Sequence, residues 1–209
     1  SKGRVLRLMR EADLLAPTRA RRQLGPRHHD GSIVTDQPDT MWGTDMTATM
    51  TLREGQAAVF VAVDHCTAEA VGIHASERAT RFEALDVIRQ GVRERFGSYE
   101  AGVAAGLALR HDNGSQYVSR VFQQELAFLG IESTPSFVKA PQGNGCAERF
   151  IRTMKEQLLW VKSFETVEEL RLALHEFARR YNREWLIERH GHLSPAAYRE
   201  RLRAGQEAA

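Results

Sequence analysis

Residues 41–74 read MWGTDMTATMTLREGQAAVFVAVDHCTAEAVGIH, and this stretch decides the fold. It holds three strand-like runs, at 41–50, 56–64 and 68–74. Only short polar segments separate the runs, first Arg-Glu-Gly and then Asp-His-Cys-Thr. Strands joined by such short turns pair with their neighbours in the chain, so the stretch predicts a three-stranded antiparallel meander.

The residues that follow the meander alternate between helical and strand patterns. Thr80 and Glu83 form a capping box in front of an apolar repeat of helical spacing that ends at Gly97. Strand patterns at 106–111 and 131–135 then flank a helical pattern at 119–129. Alternation of strand and helix is typical of parallel strand pairing, so we predict an α/β protein.

The last third of the chain is predicted to be helical. A segment at 135–145 holds two prolines and two glycines and is predicted to be a mobile loop. A helical pattern at 146–161 follows it, and Thr166 with Glu169 forms a second capping box. We expect three parts, namely a basic helix and linker at 1–40, a core at 41–162 and a helical extension at 163–209.

The composition, with 42% hydrophobic and 27% charged residues, is ordinary for a soluble globular protein. The longest strongly apolar run, 57–63, is far shorter than the roughly twenty residues that a membrane span requires. We therefore expect a cytoplasmic protein with no membrane partner. Cys66 and Cys146 have no second Cys or His at ligand spacing, so neither a zinc site nor a disulfide framework is predicted.

Basic residues are concentrated at the N-terminus. Residues 1–27 carry a net charge of +6, although the whole chain carries only +2. Lys and Arg in such a segment can neutralise DNA phosphates, and Arg19, Arg21 and Arg22 are predicted to contact DNA in this way. A solvated basic tail is the alternative interpretation.

Three acidic residues are the candidate catalytic and metal-binding groups: Asp45, Asp112 and Glu148. The strand period places Asp45 on the same face as Gly43 and Thr47. Asp112 follows a strand pattern at the start of a turn, and Glu148 lies in the first turn of a helix. Taken singly, each has an ordinary structural interpretation: a polar strand residue, an Asx-turn former and one half of a surface ion pair.

The spacing of these acids carries little information. Asp112 and Glu148 have thirty-five residues between them, and so do Asp64 and Glu100. Glu100 lies in a linker-like stretch that would not hold a ligand rigidly, whereas Asp112 and Glu148 border regular elements. The local setting, and not the interval, therefore favours the set with Asp112.

Carboxylates suit one kind of chemistry in particular. Mg²⁺ prefers oxygen ligands, and a pair of such ions can assist an in-line phosphoryl displacement. Arg152 and Lys155 follow Glu148 at i+4 and i+7, so they share its helix face and can meet phosphate. The sequence thus predicts a site that acts on a phosphodiester.

Several motifs in a fixed order then resemble a known family. They are WGTDMT at 42–47, HDNGSQY at 111–117, APQGNGCAERF at 140–150, KE at 155–156, YNR at 181–183 and LSPAAY at 193–198. The chain from 41 to about 201 is similar to the catalytic region of transposases of the insertion-sequence-3 family. These are relatives of the retroviral integrases within the RNase H-like superfamily.

The resemblance implies a fold and an activity. The fold would be a mixed five-stranded sheet flanked by helices, with Asp45 on the first strand, Asp112 after the fourth and Glu148 on a later helix. The three acids would bind two Mg²⁺ or Mn²⁺ ions when DNA is present, for strand cleavage at element ends and strand transfer into target DNA. Lys155 occupies the position of a basic residue that contacts double-stranded DNA near the cleaved end. Assembly with DNA ends implies a homo-multimer.

Two other functions stay open. One is a plain RNase H-like nuclease, which would hydrolyse DNA strands without joining them. The other is a catalytically silent DNA-binding or regulatory remnant of a transposase.

Other residues have competing interpretations. Asp64 could be a fourth carboxylate near the metals, but a turn-forming role is favoured. His111 could shuttle protons, although two-metal chemistry does not require it. Trp160, Trp185 and Tyr181 could stack on bases, but at helical spacing they are more often core or interface residues.

Overall fold

The computed structural model describes residues 2–12, 33–135 and 144–207. The chain divides into one unit that ends at residue 30 and a second that spans residues 31–209. In the first unit, helix α1 spans Lys2–Glu11. Arg19, Arg21 and Arg22, the predicted DNA contacts of the basic segment, lie outside the described residues, as does most of the predicted loop, at 136–143.

The second unit is built on a five-stranded sheet. Its strands are β1 (Met41–Thr51), β2 (Gly55–Asp64), β3 (Ala70–Ser76), β4 (Ala108–His111) and β5 (Glu132–Pro135). Their order across the sheet is β3-β2-β1-β4-β5. The β1–β2 and β2–β3 pairs are antiparallel, whereas β1–β4 and β4–β5 are parallel. The predicted meander followed by parallel strands is confirmed, and β1 is the central strand.

Two strands begin later than the sequence patterns predict, because turns occupy their first residues. β3 begins at Ala70 and not at 68, since Asp64 closes a turn by accepting a hydrogen bond from the Thr67 amide, and Ala68 has a φ of +58°. β4 begins at Ala108 and not at 106, since Gly106 has a φ of +94°. Such left-handed backbone is incompatible with a strand.

Helices pack on both faces of the sheet. They are α2 (Arg81–Phe96), α3 (Arg120–Leu129), α4 (Gly145–Met154) and α5 (Val167–Glu184), whereas α6 (Pro195–Glu207) packs against α5. Both threonines of the predicted capping boxes cap their helices: the Thr80 side chain accepts from the Glu83 amide, and the Thr166 side chain accepts from the Glu169 amide. The glutamates do not complete the boxes, since Glu83 contacts His74 and Glu169 accepts from the Glu165 amide. The predicted helix 146–161 is α4 followed by a π-helical turn, Lys155–Leu159.

Two apolar cores flank the sheet. One joins Trp42 and Phe60 to α2 and α3, and the other joins Val61 to Phe150 of α4 and Leu174 of α5. The strand alternation places Trp42 on the α2–α3 side, and Asp45 faces α4 as the period predicts. Among the described residues, no helix is long and apolar enough to cross a membrane.

Candidate active site

Asp45 lies on the central strand at the α4 face. It is half-buried, and its Oδ1 accepts a hydrogen bond of 2.8 Å from the Met46 amide. The pKa of Asp45 is raised to about 6, mainly by burial; the hydrogen bond from the Met46 amide and the charge of Lys155 lower it, whereas the negative charges of Asp112 and Glu148 raise it. The charges of Asp112 and Glu148 therefore act on Asp45, because a like charge nearby disfavours ionisation.

Asp112 follows β4, the parallel neighbour of β1. The recorded register pairs Met41 with Ala108 and ends at Gly43 with Arg110, and extending it by two residues would align Asp112 with Asp45. Paired strands lie about 4.8 Å apart, so this alignment agrees with the charge effect of Asp112 on Asp45. Asp112 also forms the predicted Asx turn, since its Oδ1 accepts from the Gly114 amide at 2.8 Å. Asp112 can therefore form this turn and still belong to the candidate site.

Glu148 is exposed in the first turn of α4, and two buried contacts fix that turn against the sheet. The Asn144 side chain donates from Nδ2 to the carbonyl oxygen of Thr44 at 2.8 Å. The Cys146 thiol donates to the carbonyl oxygen of Asp64 at 3.5 Å. The first contact reaches the residue that precedes Asp45, so it sets the position of Glu148 relative to the central strand.

Gly43 is required for that approach. A Cβ atom at Gly43 would lie 2.3 Å from Asn144 Oδ1 and 2.8 Å from His65 Nε2, both too close for real atoms. His65 and Asn144 are buried, and neither of these two atoms has a hydrogen-bond partner among the described residues. Local sequence patterns did not indicate Asn144 and Gly43 as site-forming residues. Their place inside the two motifs that carry Glu148 and Asp45 was the available signal.

Two cations lie in the same cleft as Asp45 and Glu148. The cleft has a volume of about 320 Å³ and is lined by Asp45, Met46, Thr47, Glu148, Ile151, Arg152, Lys155 and Trp160. Arg152 is exposed and Lys155 is half-buried. The structure therefore brings both predicted phosphate-binding residues of the helix to the carboxylates.

The three acids do not form a tight cluster. Among the described residues, one set of three potential metal ligands has its ligand atoms within 4.8 Å of one another, and that set is His74, Glu83 and Asp86. Its members already have partners, since His74 Nε2 lies 2.6 Å from Glu83 Oε2 and Asp86 pairs with Arg89 at 3.1 Å. Asp45, Asp112 and Glu148 are not such a set.

Asp64 and His111 have structural roles. Asp64 is buried, and it accepts hydrogen bonds from the amides of Thr67 and Asp39 at 2.7 and 2.8 Å. The turn-forming interpretation of Asp64 is therefore confirmed. His111 is buried as well, with Nδ1 2.6 Å from the Asp112 carbonyl oxygen and Nε2 2.9 Å from Ser133 Oγ. Because a carbonyl only accepts, Nδ1 carries the proton, and both ring nitrogens are engaged.

Comparison with known proteins identifies the family. A family model described as an integrase core domain matches residues 35–141, and a second model of that description matches residues 129–195. The transposase for insertion sequence element IS629 of Shigella sonnei is 30% identical to this chain over 166 residues. The match covers 78% of this chain and 53% of that relative, so the chain spans about half of the relative's length.

Solved structures of integrase cores have the same fold as this chain. The catalytic core domain of BIV integrase has a TM-score of 0.58 and 21% identity, covering 81% of this chain and 99% of the other. The HTLV-2 integrase catalytic core domain in complex with magnesium, in its trimeric form, has a TM-score of 0.58 and 15% identity, covering 78% and 98%. The sheet with its flanking helices is thus the RNase H-like fold of integrase and transposase cores. The chain belongs to the integrase core domain family and, within it, to the insertion-sequence-3 transposases.

Proposed function

We propose that this chain carries the catalytic centre of a transposase that cleaves DNA strands at element ends and transfers them to target DNA. The observation that carries the proposal is that Asp112 and Glu148 lie close enough to Asp45, on the central strand, for their charges to raise its pKa. Lys155 and Arg152 in the same cleft supply positive charge for a phosphodiester. An acid set with adjacent cations is what metal-assisted phosphoryl transfer needs.

The donor set fits a hard divalent cation. Three carboxylates on a rigid strand, a strand end and a helix start would hold Mg²⁺ or Mn²⁺, because these ions prefer oxygen ligands. Two such ions, when bound with DNA, supply a pair of positive charges that activate an attacking oxygen and stabilise a leaving one. The similar HTLV-2 integrase core was solved in complex with magnesium, which supports the choice of ion.

The protein side chains contribute position and charge. Asp45 lies on the central strand, and the buried Asn144–Thr44 hydrogen bond holds the start of the Glu148 helix against that strand. Arg152 and Lys155 bind phosphate oxygens of double-stranded DNA beside the acids. Two DNA ends and a target must meet in the reaction, so we propose that the protein acts as a homo-multimer on DNA.

A strand-transfer assay on element-end DNA tests the proposal. Asp112→Asn should abolish both cleaved and joined products, because the amide removes a negative ligand while keeping its shape. Glu156→Gln is the matched control, since Glu156 is an exposed acid on the segment that follows α4. Full activity of Asp112→Asn would contradict the assignment of Asp112 as a catalytic metal ligand.

The same assay separates the alternatives. A plain nuclease would give nicked DNA without joined strands at any metal concentration. A silent remnant would bind element-end DNA yet show neither metal-dependent nicking nor joining.

A further inference from the structure

Trp160 is an exposed aromatic residue inside the candidate active site. Its side chain is 66% exposed, although it lines the cleft that holds Asp45, Glu148 and Lys155. Trp42, by contrast, is fully buried in the core, and Trp185 is stacked on Tyr181 with ring centroids 6.0 Å apart. A large exposed apolar surface next to a polar site is typical of a binding surface.

The π-helical turn accounts for the position of Trp160. Trp160 lies twelve residues after Glu148, and a regular α-helix would carry it about 120° away from the Glu148 face. The Trp160 amide instead donates to the Lys155 carbonyl oxygen at 2.9 Å, five residues earlier. Such a wide turn rotates less per residue, so it returns Trp160 to the side of Glu148 and Lys155. Turns of this kind are frequent at functional sites.

The side chains that line the cleft suit a nucleotide, which combines a phosphate with a flat base. Lys155 and Arg152 are suited to phosphate, and an indole face is suited to a nucleobase. Bases inside a duplex are covered on both faces by their neighbours and the terminal pair of a blunt end has one free face, whereas an unpaired base at a strand end can offer both faces. The cleft volume of about 320 Å³ lies at the lower end of the range for ligand pockets, which is enough for one flat ring system.

We propose that Trp160 stacks on an unpaired base at a DNA end while Lys155 and Arg152 hold the adjacent phosphates. The inference rests on the proposed function and names the form of DNA that the site receives: an end with an unpaired strand. Trp160 would then favour such ends over blunt ends without taking part in the chemical step.

A binding experiment without divalent metal tests the inference, because DNA is then bound but not cut. Fluorescence anisotropy would compare a duplex with a short unpaired overhang and a blunt duplex of the same length. Trp160→Ala should weaken binding of the overhang DNA about five- to hundredfold, the range for loss of one base–aromatic stack, and change blunt-end binding little. Trp160→Phe should retain most of the preference, and Trp185→Phe, the matched control, should retain all of it.

Three outcomes would overturn the inference. If Trp160→Ala keeps the preference for the overhang, Trp160 does not stack on a base, and the proposed function is unaffected. If Trp160→Ala abolishes self-association in sedimentation experiments while the overhang preference persists, the surface is a contact between protein copies. If the parent chain binds neither DNA, the proposed function fails together with the role of Trp160.

Discussion

Asn144 Nδ2 donates a buried hydrogen bond of 2.8 Å to the carbonyl oxygen of Thr44. The two residues are neighbours of candidate ligands, because Thr44 precedes Asp45 and Asn144 lies four residues before Glu148. One side chain thereby joins the central strand to the helix that carries the third acid. We infer that Asn144 is a positioning residue for the site.

Asn144→Ala should weaken metal use as well as stability. Removing the donor leaves the Thr44 carbonyl oxygen buried without its partner, at a cost of about 1–3 kcal/mol in the free energy of unfolding. The Glu148 helix start would also lose its tie to β1, so more Mg²⁺ should be needed for half-maximal activity. Urea unfolding and metal titration would measure the two effects. Gln157→Ala, at an exposed position of the π-helical turn, should change neither.

Gly43→Ala and Gly205→Ala should have effects of opposite sign. The new Cβ at position 43 would lie 2.3 Å from Asn144 Oδ1, so overpacking should lower the free energy of unfolding by about 1–3 kcal/mol. A Cβ at Gly205 meets no atom within 4 Å and lies in α6, where Ala is favoured by about 0.5–1 kcal/mol. Thermal or urea unfolding would compare the two variants. Parent-like stability of Gly43→Ala would contradict the close approach.

Arg199→Ala should lower the free energy of unfolding strongly, because Arg199 belongs to a largely buried group of ion pairs. Arg199 of α6 pairs with Asp39 at 2.5 Å and with Glu69, and all three side chains are at most 20% exposed. Removing one member of a buried ion pair typically costs about 3–5 kcal/mol, because the partner charges stay buried.

Arg179→Ala is the control for Arg199, because Arg179 pairs with Glu176 at the same distance of 2.5 Å but both side chains are more than half exposed. Exposed pairs contribute about 0–1 kcal/mol. If urea unfolding shows that both variants lose the same free energy of unfolding, burial does not explain the contribution of Arg199.

Buried neutral histidines should lower the free energy of unfolding below neutral pH, whereas Asp45, whose pKa is raised to about 6, contributes in the opposite direction. Burial, together with the charge of Arg189, lowers the pKa of His190 to about 4, and burial lowers the pKa of His65 as well. The unfolded chain then binds more protons between about pH 4 and 6.5, so stability is lost as pH falls through this window.

The slope from one such histidine approaches about 1.4 kcal/mol per pH unit. In urea unfolding at several pH values, the free energy of unfolding should fall less with decreasing pH for His190→Gln than for the parent. His192→Asn, at an exposed residue with a φ of +61°, should keep the parent's decline. An unchanged slope in His190→Gln would contradict the assignment to His190.

Local patterns predicted much of the fold for physical reasons. Capping boxes and apolar periodicity act within a few residues, so the starts of α2 and α5 and the strand-to-helix alternation could be predicted directly. The start of β3 was misplaced because the turn that Asp64 closes extends two residues further than composition indicates. Tyr181 was favoured as a core residue, and it is buried, whereas Trp160 is exposed.

For the site, the three acids and their local settings could be derived from the sequence alone, and their role as ligands stays a prediction. The contacts that hold them could not be derived, because the Asn144–Thr44 bond joins residues one hundred positions apart. The π-helical turn that returns Trp160 to the cleft could not be predicted either, because the apolar and cationic spacing around it is that of a regular helix.

The sequence by itself determined the main strands and helices, which face of β1 carries Asp45 and which chemistry three carboxylates with two cations favour. These depend on backbone periods and side-chain chemistry, which are local properties. Only the tertiary structure decided how close the elements approach. Gly43 leaves room for the Asn144 side chain, and Arg199 joins α6 to the start of β1. Trp160 lies in the same cleft as Asp45 and Glu148. Those outcomes depend on packing between residues distant in the chain, where sterics and burial select one arrangement among many that local patterns allow.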